Sequence, residues 1–390
     1  MKRNKVWDVA IIGAGPAGTT AASLLADKGF EVLILDREYF PRAKPCGGAL
    51  SQKIKKFLLV EYESLKGHEV FGAEFSFKGQ DAFRIESPDC IAKLIHREDL
   101  DLSLLNLSID KGARFVAGKK VIHLEKKDSF VCLETENGAC CHAKVVIGAD
   151  GPRGVSARFM NPGHRVPMGV AIEEETEIET IPKLDLKKVY LDFGRFPWGY
   201  GWIFPKEGLS SVGCGAIVRR KKIPLKKEFE RMKHKFPFLY GNVKKAKGWL
   251  LPYFGEFSYH RADEQVLLVG DAARLMDPFL GEGIYYAMAS ATFAAESIIK
   301  MFNRKRSLVG LYLARIQKEL MDELKHAVRM AEFVYPRIKL GFYALRRSKS
   351  LGHLYVHVMS GKLSYRDFNR ELFRVIKAAG RQKIRRLISR

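Results

Sequence analysis

The stretch VWDVAIIGAGPAGTTAASLLADKGFEVLILDRE, residues 6–38, decides the fold. Val9, Ile11 and Ile12 form a short strand without a polar face, the pattern of a strand buried on both sides in a parallel sheet. Gly13, Gly15 and Gly18 follow as G-x-G-x-x-G. Thr19 to Lys28 is rich in alanine and leucine and reads as helix with Gly29 as its C-cap, and EVLILD is a second buried strand. In that setting Gly13 permits the tight turn, Gly15 lets a pyrophosphate approach the backbone, and Gly18 lets the helix pack on the strand. Asp36 closes the second strand 18 residues after Gly18, where a carboxylate accepts hydrogen bonds from a ribose hydroxyl. A helix packed on a strand with no ligand would not need three glycines at its start, because they cost stability. The stretch is one βαβ unit of an α/β fold that holds a dinucleotide.

The rest of the chain bounds what is built around it. With 390 residues, 47% of them hydrophobic, it can bury a sizeable core. Six cysteines without CxxC spacing or a nearby histidine cluster encode no metal site or iron–sulfur cluster, and they fit a reducing, cytoplasmic setting. The first apolar run breaks at glycines with no cleavage site after it, so it reads as a strand and not as a signal peptide. No run approaches the length of a membrane-spanning helix.

Two distant segments share the features of the first. KVVIGADGPRGVSAR ends a strand at Asp150 and Gly151, and QVLLVGDAARLMDPFLGEGI ends another at Gly270 and Asp271, followed by Pro278, Gly281 and Gly283. HREDLDLSLL supplies Arg97, with Leu100, Asp101 and Leu104 behind it. Taken alone, Arg97 would be a salt-bridge residue on a helix surface. The set resembles the FAD superfamily that includes the aromatic hydroxylases, in which the acid of the second segment holds the ribityl chain and an arginine lies near the flavin. The resemblance spans most of residues 5–300 and implies FAD as the tightly held cofactor. A helix opening near Gly283 would aim its positive end at the ring. A second G-x-G-x-x-G is missing, so electrons are expected from NAD(P)H docking transiently at the flavin or from a ferredoxin-like protein.

PWGYGWIFP, residues 197–205, narrows the family. Trp198, Tyr200, Trp202 and Phe204 alternate along a strand and form one aromatic face, which either packs a core or lines a pocket of lipid width. Together with PCGG at residues 45–48, the stretch resembles the P-x-x-Y-x-W-x-F-P signature of the geranylgeranyl reductase family, here Pro197, Tyr200, Trp202, Phe204 and Pro205. That resemblance implies an enzyme reducing carbon–carbon double bonds of isoprenoid chains on lipids, chlorophyll precursors or quinones. Two positions depart from the family: Arg274 stands where a glycine is common, and Leu280 where a threonine is common. The first puts a bulky cation against a flavin phosphate or into the cavity.

Reduction of an isolated double bond takes a hydride from reduced flavin and a proton from elsewhere. Cys46 and Tyr200 are the candidate donors, since their unperturbed pKa values of about 8.5 and about 10 keep both protonated at neutral pH. Gly47 and Gly48 would let the loop approach the ring and the substrate. The competing reading of Cys46 is a small buried residue in a glycine loop. Flavin monooxygenases and halogenases share the FAD motifs, but halogenases carry W-x-W-x-I-P where this chain has Tyr200 and Phe204. A membrane-associated quinone-linked electron carrier would usually add a cysteine cluster.

The charge is uneven. Residues 337–390 hold 15 Lys or Arg against Asp367 and Glu371, a net +13 of the chain's +23. Within it, IKLGFYALRR and ELFRVIKAAGRQKIRRLISR place Leu372, Phe373, Ile376, Ile384 and Ile388 near helical spacing between bases. This is either a peripheral attachment to an anionic membrane surface or a solvated basic helix. Nucleic acid is not an expected partner, because no reader motif is present. The expected organisation is a Rossmann-type FAD-binding domain in two parts, 1–160 and 263–308, an inserted β-rich substrate domain at 161–262, and a helical basic region at 309–390.

Overall fold

The structure is a computed structural model describing residues 5–164, 166–177, 184–217, 224–236, 246–255, 259–304 and 306–374. The expected unit is present. Strand Val6–Ile12 lies between Val32–Leu35 and Cys140–Gly148, parallel to both, and Val9 to Ile12 are buried. Arg114–Val116 extends this sheet beyond Val32–Leu35, and Val266–Leu268 pairs in parallel with the end of Cys140–Gly148. An antiparallel meander, Val121–Lys126 and Val131–Thr135, completes seven strands. The helix after the first strand runs Pro16–Ala26, with proline at the start, where its missing N–H is no loss. It packs on the long helix Ile284–Arg304.

A second seven-stranded sheet has the order Lys247–Leu251, Gly169–Glu177, Leu209–Ala216, Tyr200–Pro205, Lys188–Phe193, Gly72–Phe77, Gln80–Glu86. The sheets therefore do not divide at residue 160 as expected. Strands Gly72–Phe77 and Gln80–Glu86 leave the first 160 residues to join the second sheet, because Lys188–Phe193 offers its edge to Gly72–Phe77 in parallel register. Between the sheets, Ala49–Ser51, Ala92–Leu94 and His68–Val70 form a small three-stranded sheet that anchors the segment after PCGG.

Beyond residue 308 the described chain is helical, ending at 374. Helices Asp322–Val334, Ile338–Arg347 and Lys349–Ser360 cover the second sheet. The Phe342 ring lies 5.5 Å from that of Phe77 and 5.2 Å from that of Phe83, and Tyr355 stands edge-on to Phe75 at 5.7 Å. Burying an aromatic of this size contributes about 1.5–3 kcal/mol, so the C-terminal helices are part of the core. Among the described residues no helix is long and apolar enough to cross a membrane. Ile376, Ile384 and Ile388 of the basic tail lie outside the described residues.

Candidate functional site

A cavity of about 300 Å³ lies where the two sheets and the C-terminal helices meet. One wall is glycine-rich backbone. Gly15, Gly151, Gly281 and Gly283 line it, and a Cβ on Gly151 would meet nothing within 4 Å, so the space above that backbone is open. Gly13 and Gly18 act from behind. Gly13 has φ +104°, and a Cβ on Gly18 would sit 1.8 Å from the Gly13 carbonyl oxygen, which only glycine allows. Asp36 closes this turn, its Oδ2 accepting from the Ala14 amide at 2.6 Å and its Oδ1 from the Glu38 amide at 2.8 Å. Gly270 takes φ +56° and donates its amide to Ser290 Oγ. Burial raises the Asp150 carboxyl, and the Ser156 hydroxyl and amide, which donate to it, pull it back.

Arg97 opens helix Arg97–Asp110 and lines the cavity. Its Nε and Nη2 grip Asp101 at 3.0 and 2.9 Å, and Arg42 Nη2 reaches the same carboxylate at 3.1 Å. Burial works against the Arg97 cation, but Asp101 outweighs it and raises its pKa. Two guanidiniums on one carboxylate leave a positive excess beside the glycine turn. The Arg42 Nη2 lies 3.5 Å from the position of a Gly15 Cβ, and its Nε is buried without a hydrogen-bond partner. Open glycine backbone, an orphaned guanidinium nitrogen and the N-terminal end of helix Ile284–Arg304 fit an anionic dinucleotide. Lys44 also faces this end, 4.0 Å from Asp271; burial lowers its pKa and Asp271 opposes the shift.

The opposite wall is aromatic. Tyr200, Trp202 and Phe204 project from strand Tyr200–Pro205 into the cavity. Trp198 lines it too but precedes the strand, with φ +53°, so the expected four-residue alternation holds for three. The bend is fixed next door, where a Cβ on Gly199 would stand 1.9 Å from the Gly215 carbonyl oxygen. The Tyr200 hydroxyl donates to the Leu280 carbonyl. Burial raises its pKa, and Asp277 and Glu282 add to the shift.

Cys46, Gly47 and Gly48 bridge the two walls. A Cβ on Gly47 would lie 2.7 Å from the Phe204 ring, and Gly48 has φ +75°, so both glycines are required by close approach and backbone conformation. The Cys46 Sγ accepts from the Gly48 amide at 3.4 Å. Beneath the loop the buried Lys206 donates to the Cys46 carbonyl at 2.9 Å and stands 3.9 Å from Glu173. Glu173 accepts from Ser211 Oγ at 2.6 Å, which in turn accepts from Trp202 Nε1 at 3.0 Å. Burial raises the Glu173 pKa, and Lys206 and Ser211 hold it down. One polar chain thus ties the PCGG loop to the aromatic strand.

A sequence model described as an FAD binding domain matches residues 6–54. The menaquinone reductase of Mycobacterium tuberculosis is 30% identical over 74% of this chain and 76% of its own. An uncharacterized protein of Methanosarcina barkeri is 32% identical over 94% and 93%, and the chloroplastic geranylgeranyl diphosphate reductase of Arabidopsis thaliana 28% over 76% and 66%. The chain belongs to the geranylgeranyl reductase family of FAD-dependent oxidoreductases. The fold agrees: a geranylgeranyl bacteriochlorophyll reductase-like structure from Thermoplasma acidophilum superposes with a TM-score of 0.74 at 23% identity, covering 84% of this chain and 87% of that one.

Within this family fold the structure separates the residues singled out in the sequence by position. Asp271 and Pro278 line the cavity with Arg97 and four of the glycines, whereas Gly13, Gly18, Asp36, Asp150 and Gly270 lie outside its lining. Asp36 accepts the Ala14 and Glu38 backbone amides at the end of its strand. Arg274 does not enter the cavity; it is buried with φ +56°, and its Nη2 donates to the Pro167 carbonyl. Glu173 and Asp277 line the cavity, and Arg42, Lys206 and Ser211 stand behind its lining against Asp101, Cys46 and Glu173; the sequence singled out none of the five. The Lys206 signal was available, a lysine directly after the aromatic signature, but a lone lysine after a strand gives no hint that it turns inward.

Proposed function

We propose that this flavoenzyme saturates carbon–carbon double bonds of an isoprenoid, geranylgeranyl-type chain carried on a lipid, with lipid biosynthesis as its setting. The observation that carries the proposal is the shape of the cavity, which runs from the glycine wall to an apolar wall of Trp198, Tyr200, Trp202, Phe204, Leu191 and Phe279. The Arabidopsis and mycobacterial relatives are named as reductases of geranylgeranyl diphosphate and of menaquinone, which supports the same substrate class. When bound, reduced flavin supplies hydride. Arg97 and Arg42 hold the dinucleotide's negative charge. The aromatic wall would hold the chain beside the flavin site and exclude water, which would convert the encounter into a positioned reaction.

The proton donor in this proposal is Cys46. Tyr200 already commits its hydrogen to Leu280, and its raised pKa weakens it as an acid, so its role is to shape the wall. Turnover of a prenyl lipid by reduced enzyme under nitrogen tests the proposal against the flavin monooxygenase and halogenase alternative. A strict requirement for oxygen would refute it. Cys46→Ser should keep its flavin and lose most alkene turnover; unchanged turnover would remove Cys46 as the acid.

A further inference from the structure

The C-terminal helices carry an exposed apolar surface that the cavity does not use. Among the described residues, Leu340 is 69% exposed and Phe373 67%, exceeded among large apolar side chains only by Tyr39. Both lie in the region that holds +13 of the chain's charge. On helix Ile338–Arg347 the inward face is Phe342, seated between Phe77 and Phe83. Leu340 points the other way, with Lys339 beside it, Arg337 one turn before and Arg347 two turns after, all exposed. Phe333, 45% exposed, extends this surface, and the Arg337 guanidinium lies 5.3 Å from its ring centroid.

We propose that Phe333 and Leu340, with Arg337, Lys339 and Arg347 around them, form a docking face for an anionic phospholipid bilayer. Apolar side chains set among bases, on a helix already anchored by its other face, match a peripheral surface that inserts shallowly and is drawn in by negative lipid. The position suits the proposed substrate, and in this respect the inference rests on that function. Tyr335 lines the cavity and donates to the Phe279 carbonyl, and the docking helix begins three residues later, at Ile338. A face so placed would hold the cavity's helical wall against the bilayer in which a prenyl lipid resides.

Sedimentation of the full-length flavin-loaded chain with vesicles of phosphatidylcholine, with and without phosphatidylglycerol, tests the face independently of any turnover. Binding should require the anionic lipid and weaken as salt rises through the range where the screening length falls below about 10 Å. Leu340→Glu combined with Phe333→Glu should weaken binding at least tenfold while flavin content and turnover of detergent-dispersed substrate stay unchanged. Undiminished binding of the double variant, or binding that disappears only when residues 375–390 are removed, would overturn the assignment. Failure of the wild-type chain to bind anionic vesicles would do the same. Absence of prenyl reduction alongside intact vesicle binding would instead count against the proposed substrate alone.

Discussion

Replacing Lys206 by methionine keeps the aliphatic stem and removes the ammonium. Lys206 is 2% exposed, so water cannot replace what is lost. The Cys46 carbonyl loses a charged donor at 2.9 Å, worth about 1.5–3 kcal/mol, and Glu173 loses the cation that offsets its burial. Breaking one side of a buried pair costs roughly 3–5 kcal/mol at most; here Glu173 can take up a proton, which brings the cost toward the lower end. The loop carrying Cys46 should therefore open more often. A local opening free energy lowered by about 1.5–3 kcal/mol raises thiol modification roughly tenfold to somewhat over a hundredfold. The assay is the rate of Cys46 alkylation by iodoacetamide in the holoprotein, read peptide by peptide, with the exposed Cys140 as an internal reference. Glu173→Gln keeps a partner for Ser211 and should raise the rate less. In the double variant the two effects should fall short of their sum by roughly 1–3 kcal/mol, the coupling expected of groups in contact. An unchanged Cys46 rate in Lys206→Met, or strict additivity in the double variant, would refute the claim that this pair holds the loop.

Three further outcomes follow from the same geometry. Gly18→Ala places a Cβ 1.8 Å from the Gly13 carbonyl oxygen, so the glycine turn must open and the purified chain should carry little flavin; full flavin occupancy would contradict the role of that turn. Burial pushes the Asp277 carboxyl from its ordinary 3.8 to about 6, with Lys53 and Tyr365 opposing. Its protonated form is thus favoured by folding, the contribution is complete below about pH 4, and it fades by ~3 kcal/mol as pH rises through about 6. Between these limits the wild-type urea midpoint should fall relative to that of Asp277→Asn, and parallel curves would sink the assignment. Tyr200→Phe leaves the Leu280 carbonyl without its donor at a cost of about 1–3 kcal/mol, yet turnover should stay within about tenfold of wild type. A loss matching that of Cys46→Ser would restore Tyr200 as proton donor.

The dinucleotide half of the fold was legible because its signals are local. Strand, glycine turn, helix and strand follow one another in residues 6–38, and Gly13 and Gly18 each answer to a nearby backbone atom. The aromatic strand was legible from its period of two. Pairings between distant segments were not. Gly72–Phe77 joins the second sheet through a neighbour more than a hundred residues later, and nothing in its own pattern names that partner. The same holds in the site: Arg97 is recognisable from its motif, whereas Arg42 gains its place only when Asp101 lies within 3.1 Å of it. Lys206 and Glu173 look like surface charges until the second sheet closes over them.

The central claim is that electrons held on a flavin in this cavity go to a prenyl double bond. Its most direct measurement is a single anaerobic turnover: the flavin-loaded chain is reduced, mixed with prenyl lipid in the absence of oxygen, and followed both by flavin absorbance and by lipid mass. The flavin should reoxidise while the isoprenoid chain gains hydrogen in pairs. Flavin that stays reduced beside unchanged lipid, and reoxidises only when oxygen is admitted, would contradict it.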